Sequence, residues 1–348
     1  MTQKKALIAM SGGVDSSVAA YLAQKAGYAC VGVTMQLHPG PHQTEDAAAI
    51  AERLGIPFYA LDFRKEFCSH VMDAFVQDYE NGLTPNPCVV CNQKLKFGCL
   101  MDTATELGCD YIVTGHYAQV AQVAATGRFV LKKAADESKD QSYFLYGLTQ
   151  AQLSRILFPL GGLTKAQARE IAEIQGFINA KKKDSQDICF VPDGDYMAFI
   201  TRHTGKNYPA GDFLDQSGNV VGQHKGAIGY TLGQRKGLGL AMGEPVYVCG
   251  KDMHKNTVTV GPNDALMHQC LRATNWFWHT IAELTVPLRV FAKARSRMIE
   301  QPATVYPEEN GFARVEFDEP QRAITPGQAV VLYDGDTVVG GGTITEVL

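Results

Sequence analysis

The segment from Lys5 to Ser17 constrains the fold more than any other part of the sequence. Its apolar start, KALIAM at 5–10, is typical of a buried strand, and SGGVDSS at 11–17 then leads into a helix that runs to about residue 26. A glycine turn between a strand and a helix exposes backbone N–H groups, and the helix dipole favours negative charge there. The segment therefore predicts a phosphate-binding loop at the edge of an α/β sheet.

Side chains in this loop add hydroxyl donors and a carboxylate. Ser11, Ser16 and Ser17 offer hydroxyl groups to a phosphate, and Asp15 is expected to hold Mg²⁺ there and to act in catalysis. The loop has neither the Gly-Lys-Ser/Thr of a Walker A motif nor the G-x-G-x-x-G of a dinucleotide-binding fold. It resembles the loop of the PP-loop ATP pyrophosphatases, which split ATP into AMP and pyrophosphate and adenylate an oxygen of their substrate. The resemblance implies that ATP is consumed.

Strands and helices alternate over the first part of the chain. Apolar, β-rich runs at 30–35, 58–61 and 111–114 are separated by helical patterns such as 63–79. This order predicts an α/β fold with a doubly wound parallel sheet, in which ligands gather at the carboxyl ends of the strands. After about residue 205, short β-rich runs and glycine-rich turns predominate. We therefore predict three domains: a catalytic domain at 1–205, a small β-containing central domain at 206–263 and a C-terminal β-barrel at 264–348.

Two cysteine segments indicate sulfur chemistry. Cys91 ends the proline-bracketed run TPNPCVVC before a helix predicted over 93–107, and Cys189 follows a basic run at 181–183. A helix N-terminus or nearby cations favour a thiolate, so both thiols are expected to be reactive. Together with an adenylating loop, they suggest that a persulfide sulfur replaces an activated oxygen. Because Cys88 and Cys91 form a C-x₂-C pair, an iron–sulfur cluster on Cys88, Cys91 and Cys189, or a Zn²⁺ site, is an alternative.

Composition and charge indicate the cellular compartment and the kind of partner that the protein has. The 348 residues carry a net charge of −4 and nine cysteines, an odd number that fits a reducing compartment better than a disulfide framework. The sequence shows no membrane span and no N-terminal leader, so we expect a cytoplasmic protein without a membrane partner. Basic clusters at 181–183, 235–236 and 293–297 predict a composite nucleic-acid surface despite the negative net charge.

Over nearly its full length the chain resembles the tRNA-specific 2-thiouridylase family of PP-loop enzymes. The motifs that carry the resemblance are SGGVDSSVAA at 11–20, TPNPCVVCNQKLKFG at 84–98, DYIVTGHYA at 110–118, KDQSYFLYGL at 139–148, LFPLGGLTK at 157–165, AKKKDSQDICFVPDGDY at 180–196, IGYTLGQRKGLGL at 228–240 and TPGQAVVLYDGD at 325–336. The resemblance implies an enzyme that thiolates the 2-position of the wobble uridine in tRNAs for Lys, Glu and Gln. It also implies the three-domain architecture predicted above.

The resemblance assigns roles to individual residues. It implies a persulfide on Cys189, loaded by a cysteine desulfurase or a relay protein, and a second catalytic cysteine at Cys91. The implied ATP contacts are Ala9, Met10, Ser11, Gly12, Gly13, Val14, Asp15, Ser16, Met35 and Gly115. The implied tRNA contacts are Asn86, Pro87 and Cys88 at the target base, and His116, Lys139, Asp140, Gln141, Arg295, Ser296 and Gln328 elsewhere.

The sequence also departs from the family pattern and leaves alternatives open. Arg295-Ser296 stands where relatives often have Arg-Tyr, Cys88 where they often have Asp, and the segment 36–44 is shorter than in many relatives. The sulfur either attacks directly from the Cys189 persulfide, with Cys91 resolving it through a disulfide, or is first released by Cys91 as hydrosulfide. A PP-loop ligase for a small molecule has no use for paired cysteines, and the complete loop argues against a non-enzymatic RNA-binding protein.

Overall fold

The computed structural model of the chain describes residues 3–38, 42–180, 182 and 188–348. Its first part alternates strands with helices, as the sequence predicts. The elements in chain order are β1 (Lys5–Ala9), α1 (Val14–Lys25), β2 (Ala29–Gln36), α2 (His42–Leu54), β3 (Phe58–Asp62), α3 (Arg64–Phe67), α4 (Asp73–Glu80), α5 (Pro87–Cys91), α6 (Leu100–Glu106), β4 (Tyr111–Val113), β5 (Gln119–Gln122), β6 (Phe129–Lys132), α7 (Gln150–Leu153), β7 (Ile156–Leu157) and α8 (Lys165–Ile174).

Five of these strands form one parallel sheet in the order β3-β2-β1-β4-β7. The strand order reverses beside β1, which starts the chain and lies at the centre of the sheet. Leu7 and Ile8 of β1 are fully buried, since helices cover both faces of a sheet of this kind. The predicted doubly wound sheet is confirmed, and the loops after β1 and β4 meet at its carboxyl edge.

Two helices of this domain contain a π-helical segment. Residues Cys68–Met72 join α3 to α4, so that the helix predicted over 63–79 is continuous but locally wider. Residues Asn92–Cys99 likewise join α5 to α6. Such segments are rare and are often found at functional sites. Within the described ranges, no helix is both long and apolar enough to cross a membrane.

The central part of the chain begins with a helix and continues as a small sheet. Helix α9 (Tyr196–Thr204) is followed by β8 (Gly211–Leu214), β9 (Val220–His224), β10 (Tyr247–Asp252) and β11 (Thr257–Gly261). These strands pair in the order β10-β11-β8-β9. Helix α9 packs against α4, with the Phe199 ring centroid 5.9 Å from that of Phe75. The start of the central part is thereby fixed to the first domain.

The C-terminal part is a closed six-stranded β-barrel. Its strands are β12 (Met267–Trp278), β13 (Leu288–Lys293), β14 (Gln301–Pro307), β15 (Ala313–Arg322), β16 (Ala329–Asp334) and β17 (Thr337–Val347). They pair in the order β12-β15-β14-β13-β16-β17, and β17 pairs back onto β12. The predicted barrel is confirmed. The hairpin of β5 and β6, which belongs to the first predicted domain, extends the barrel sheet through a pairing of β6 with β17.

The barrel is anchored to the first domain by buried contacts. Arg128 donates from Nε and Nη2 to the carbonyl oxygens of His279 and Trp278, at 2.8 and 2.7 Å. The Tyr143 hydroxyl donates to the Ala329 carbonyl at 2.8 Å. One apolar core contains side chains of β1 and β4 as well as those of β16. The barrel therefore has a defined place beside the catalytic sheet.

Candidate active site

The loop between β1 and α1 has the geometry of an anion site. Gly12 has a positive φ of 69°, which a residue with a side chain rarely adopts, and Gly13 caps α1 without a side chain. The hydroxyls of Ser16 and Ser17 both donate to the Gly13 carbonyl at 3.0 Å. Ser11 is exposed at the mouth of the loop. The helix N-terminus therefore keeps N–H groups directed at the space above the loop, where a phosphate would bind.

The other predicted ATP residues surround this loop. Ala9, Met10 and Val14 lie on its two flanks, and Met35 lies near the end of the neighbouring strand β2. Gly115 packs directly on the loop, because a Cβ atom there would lie 2.7 Å from the Asp15 carbonyl carbon and from the Ser16 nitrogen. The predicted set is therefore brought together at one edge of the sheet.

The carboxylate of Asp15 has a different environment from the one expected. Lys165 Nζ lies 2.7 and 2.8 Å from its two oxygens, and the Tyr117 hydroxyl donates to Oδ1 at 2.9 Å. Both oxygens thus already have a cation as partner. The expectation that Asp15 holds Mg²⁺ is not supported by this arrangement, because the ion would have to displace Lys165. No local pattern predicts this pair, because its members are 150 positions apart in the chain.

A second connection ties the loop to the segment before Cys189. Asn179 is buried and donates from Nδ2 to the Gly12 carbonyl at 3.1 Å and to the Ser17 hydroxyl at 2.9 Å. Lys182 donates to the same Gly12 carbonyl at 3.3 Å and pairs with Asp46 at 2.8 Å. The chain that leads toward Cys189 thus crosses the phosphate loop. Residues 181 and 183–187 of the predicted basic run lie outside the described residues.

Three cysteines share one site beside α5. Cys88 and Cys91 lie one helical turn apart on α5, and Cys91 is buried in an apolar cluster against which Phe190 also packs. Cys189, next to Phe190, is close enough to both thiols to interact with them electrostatically. The structure therefore gathers the two predicted catalytic cysteines, which the sequence separates widely.

The expected thiolate character of these cysteines is wrong for this structure. Burial raises the pKa of the Cys91 thiol, and it raises the pKa of Cys189 from 9.0 to about 11. Cys189 is exposed as a residue, and desolvation together with the neighbouring Cys91 and Cys88 sulfurs accounts for its raised pKa. Cys91 lies in the second turn of the continuous helix that starts at Pro87, and burial is the largest cause of its raised pKa. Lys182, the described member of the basic run, is directed at Gly12 and Asp46.

The cysteine site does not have the compactness of a single-metal site. Four ligands around a Zn²⁺ ion lie within about 4 Å of one another, since each bond is about 2.0–2.3 Å long. Within the described residues, the one group of three ligand atoms that all lie within 4.8 Å of one another is Cys68, Asp73 and His203. The three cysteines of the site are not such a group, so the expected alternative of a Zn²⁺ site is not favoured.

Lys96, for which the sequence predicts no role, also belongs to the site. Lys96 lies on the π-helical segment after Cys91, and its Nζ is 3.4 Å from Nε2 of His116. The other ring nitrogen of His116 is 2.7 Å from the Thr114 hydroxyl. Burial, with a smaller contribution from Lys96, holds the pKa of His116 well below its ordinary value, so the ring is neutral at neutral pH. The position of Lys96 could not be predicted from a regular helical pattern.

His116 connects the two halves of the site. It follows Gly115, which lies on the phosphate loop, and its ring reaches Lys96 on the helix that carries the cysteines. Because the ring is buried, a direct contact with tRNA is not visible and stays a prediction. The structure thus joins the phosphate loop and the thiols through a short chain of contacts.

The predicted tRNA contacts differ in how accessible they are. Asn86 is half-buried and Pro87 buried at the start of α5, while Cys88 is exposed. Gln328 of the barrel donates from Nε2 to the carbonyls of Thr84 and Pro85 at 2.7 and 3.3 Å, and so holds this segment in place. The structure therefore shows a supporting contact for Gln328, and its contact with tRNA stays a prediction.

The loop with the predicted contacts Lys139, Asp140 and Gln141 is tightly bonded internally. Asp140 accepts from the Ala134 and Ser142 nitrogens at 3.0 and 3.2 Å and from the Ser142 hydroxyl at 2.7 Å. Gln141 Oε1 accepts from the Tyr117 nitrogen at 2.9 Å. These two side chains shape the loop, and Lys139 remains half-exposed beside them.

Arg295 lies between the barrel and the central sheet. Its Nη2 donates to the Leu232 carbonyl at 3.0 Å and to the Thr325 hydroxyl. Burial lowers the pKa of its guanidinium. These contacts give Arg295 an interdomain role, whereas Ser296 beside it is half-exposed and Arg297 exposed. The predicted contact of Arg295 with tRNA gains no support from its position.

Comparisons with known proteins agree with this architecture. Family models match three consecutive stretches: the tRNA methyl transferase HUP domain at 4–193, the tRNA methyl transferase PRC-barrel domain at 197–262 and the aminomethyltransferase beta-barrel domain at 268–344. The tRNA-specific 2-thiouridylase MnmA of Clostridioides difficile is 45% identical over 99% of both chains. That of Moorella thermoacetica is 48% identical over 98% of this chain and 99% of its own. A solved 4-thiouridine synthetase–RNA complex with bound ATP is 18% identical, with a TM-score of 0.37, and covers 58% of this chain and 50% of its own.

Proposed function

The chain belongs to the tRNA-specific 2-thiouridylase family, and from this premise we propose that it uses ATP to replace O2 of a tRNA wobble uridine with sulfur. The observation that carries the proposal is the juxtaposition of a phosphate loop with a group of thiols. Gly115 lies on the loop, and the adjacent His116 reaches Lys96 on the helix of Cys91. Activation of an oxygen and delivery of a sulfur can therefore take place at the same carbon–oxygen group of the base.

The first step is adenylation of the base. Chemistry at C2 requires that the uridine leaves its stack and enters the site. Its O2 attacks the α-phosphate of ATP, the bond between the α- and β-phosphates breaks, and the N3 proton is lost, giving an adenylated base and pyrophosphate. The N–H groups at the start of α1 stabilise the charge that develops on the phosphates. Mg²⁺ would enter as part of the ATP substrate, because the Asp15 carboxylate is already paired with Lys165.

The second step is sulfur transfer. The terminal sulfur of a Cys189 persulfide attacks C2 of the base, and AMP leaves with the former O2. The Cys91 thiolate then attacks the Cys189 sulfur, breaks the sulfur–sulfur bond and leaves the transferred sulfur on the base. The product is 2-thiouridine together with a Cys91–Cys189 disulfide, which an external dithiol must reduce by two electrons. The nearness of the two thiols, with the Cys91 sulfur contributing to the raised pKa of Cys189, supports this pairing.

Two other routes for the sulfur lead to the same product. In one, Cys91 first releases hydrosulfide from the persulfide, and the hydrosulfide attacks C2. In the other, an iron–sulfur cluster on Cys88, Cys91 and Cys189 would deliver it, a route that the family comparisons do not favour. Iron content decides the latter, since colourless, iron-free and fully active protein excludes the cluster.

The proposed substrate defines the setting and the partners. The tRNAs are those for Lys, Glu and Gln, and most contacts are expected with phosphate and sugar, which makes binding depend strongly on salt. The persulfide comes from a cysteine desulfurase or a relay protein. Since tRNA and ATP are both cytoplasmic, the reaction is proposed to take place in the cytoplasm.

The proposal is tested by thiolation of unmodified tRNA in vitro with ATP and a persulfide donor. Mass spectrometry of the nucleosides should detect 2-thiouridine, with AMP and pyrophosphate in equal amounts. Cys189→Ser should release pyrophosphate without forming 2-thiouridine, whereas Cys249→Ser, in the central sheet, should behave as the wild type. Full thiolation by Cys189→Ser would refute the role of that cysteine.

A further inference from the structure

The π-helical segment Asn92–Cys99 changes which side chains lie beside Cys91. In an α-helix of 3.6 residues per turn, position i+5 is rotated by about 140° from position i. In a π-helix, hydrogen bonds join residues five apart, so i and i+5 lie on nearly the same face. Lys96 stands five positions after Cys91, at the point where the wider turn begins. The local geometry therefore turns the Lys96 side chain toward the face that carries the cysteines.

A hydrogen-bond chain fixes the end of the Lys96 side chain. Its ammonium has only donors, so at 3.4 Å it must donate to Nε2 of His116. The neutral ring then carries its proton on Nδ1 and donates to the Thr114 hydroxyl at 2.7 Å. The His116 ring is itself held between Phe97 and Phe158, with centroids 5.9 and 5.8 Å away. The ammonium is thus held in place within the protein.

Among the described residues, the groups whose pKa is shifted by the Lys96 charge are three thiols and one imidazole. Cys88 and Cys91 lie on α5, Cys189 lies in the segment that begins at residue 188, and His116 lies in the loop after β4. Lys96 acts electrostatically on all four groups, and for each thiol it favours the anion. It opposes the desolvation that otherwise keeps the thiols neutral.

We propose that Lys96 is the positioning cation of the sulfur-transfer site, held by His116 so that its ammonium stabilises the sulfur anions of Cys91 and Cys189. The inference rests on the proposed function, since it takes these sulfurs as the reacting groups. A thiolate or a persulfide anion in a desolvated site requires a nearby positive charge, and the basic run before Cys189 does not provide it from Lys182, which is bonded to Gly12 and Asp46. Lys96 supplies that charge from the other side of the site.

The test compares Lys96→Met with Lys96→Arg and with Lys94→Met. Methionine keeps most of the aliphatic length and removes the charge, arginine restores the charge, and Lys94 is an exposed lysine of the same π-helical segment. The rate of alkylation of Cys91 and Cys189 by iodoacetamide is measured against pH by peptide mass spectrometry, without tRNA or ATP. Circular dichroism confirms that each variant is folded.

The expected result is specific to the charge. Lys96→Met should slow alkylation of both cysteines about tenfold at pH 8, which corresponds to a pKa increase of about one unit. Lys96→Arg should recover most of the rate, and Lys94→Met should match the wild type. A pH profile of Lys96→Met that coincides with that of the wild type would overturn the inference. If folding of Lys96→Met is impaired, Lys96→Gln serves as the neutral variant, and a pH profile of folded Lys96→Gln that coincides with that of the wild type would overturn the inference.

Failure of the inference is distinguishable from failure of the proposed function. Thiolation of tRNA by the wild type, combined with an unchanged profile in Lys96→Met, rejects only the role of Lys96. An altered profile in a protein that does not thiolate tRNA rejects the proposed reaction and keeps the electrostatic role.

Discussion

The ion pair between Lys165 and Asp15 allows a quantitative test of how the phosphate loop is held. At 2.7 Å, two opposite charges attract each other by about 6 kcal/mol if the effective dielectric constant is about 20. Desolvation and the ordering of two side chains offset most of this. The Lys165 side chain is 11% exposed and that of Asp15 is 32% exposed, so the pair lies between a surface pair and a buried one. We therefore expect a net coupling of about 2 kcal/mol.

The perturbation is a double-mutant cycle with Lys165→Met and Asp15→Asn. Each variant is unfolded in urea and followed by circular dichroism, and the coupling is the non-additive part of the change in unfolding free energy. The matched control is the pair of Lys4 and Asp110, with a similar spacing of 2.8 Å but with side chains that are 61% and 35% exposed. Its coupling should stay below about 1 kcal/mol.

Loss of the Lys165 charge is expected to lower both the stability of the protein and its affinity for ATP. Lys165→Met leaves the Asp15 carboxylate without its cation and beside incoming phosphates, so ATP affinity should fall together with stability. Asp15→Asn in the same chain should recover part of both losses, because it removes the uncompensated charge. A coupling below about 0.5 kcal/mol, equal to that of the control pair, would refute the assigned pairing.

Three further predictions concern the loop, the cysteines and the domain contact. Gly115→Ala should weaken the binding free energy of ATP by about 1–3 kcal/mol in an equilibrium binding assay, because the new Cβ would lie 2.7 Å from the loop backbone. Gly162→Ala should have no effect in the same assay, because the space around Gly162 is open. The rate of Cys189 alkylation should increase about tenfold per pH unit from pH 8 to pH 10, because the pKa of the thiol is raised to about 11 and the thiolate fraction rises up to that pH. A rate that reaches a plateau below pH 9 would contradict this. Arg295→Met should lower the unfolding free energy measured in urea by about 2 kcal/mol, since it removes charged hydrogen bonds to Leu232 and Thr325. Replacement of the exposed Arg297 by Met should change it by less than about 0.5 kcal/mol, and equal effects of the two substitutions would contradict the interdomain role.

Local sequence patterns were sufficient for much of the fold. The strand, glycine turn and helix over residues 5–25 were predictable, because an apolar run, two glycines and a helical period each have a direct structural meaning. The hairpin of β5 and β6 was not predicted, because its partner β17 lies far along the chain. The π-helical segments were also missed, since one extra residue per turn leaves a helical pattern almost unchanged.

The residues of the candidate site were easier to predict from the sequence than their environments. The loop and both cysteines were identified from the sequence, but the environments of Asp15 and Cys91 were not. An expected lowering of the Cys91 pKa became a rise because burial depends on packing with distant residues such as Phe67 and Phe190. The partner of Asp15 likewise comes from helix α8. Charges and burial at a site arise from tertiary contacts, which a local pattern does not contain.

The fate of the uridine oxygen tests the proposed reaction most directly. A tRNA anticodon stem-loop with ¹⁸O at O2 of the target uridine is incubated with ATP, a persulfide donor and the protein, and AMP is analysed by mass spectrometry. If O2 is adenylated and then displaced by sulfur, each AMP carries the label and each labelled AMP matches one 2-thiouridine. Unlabelled AMP accompanied by 2-thiouridine would contradict adenylation of the base.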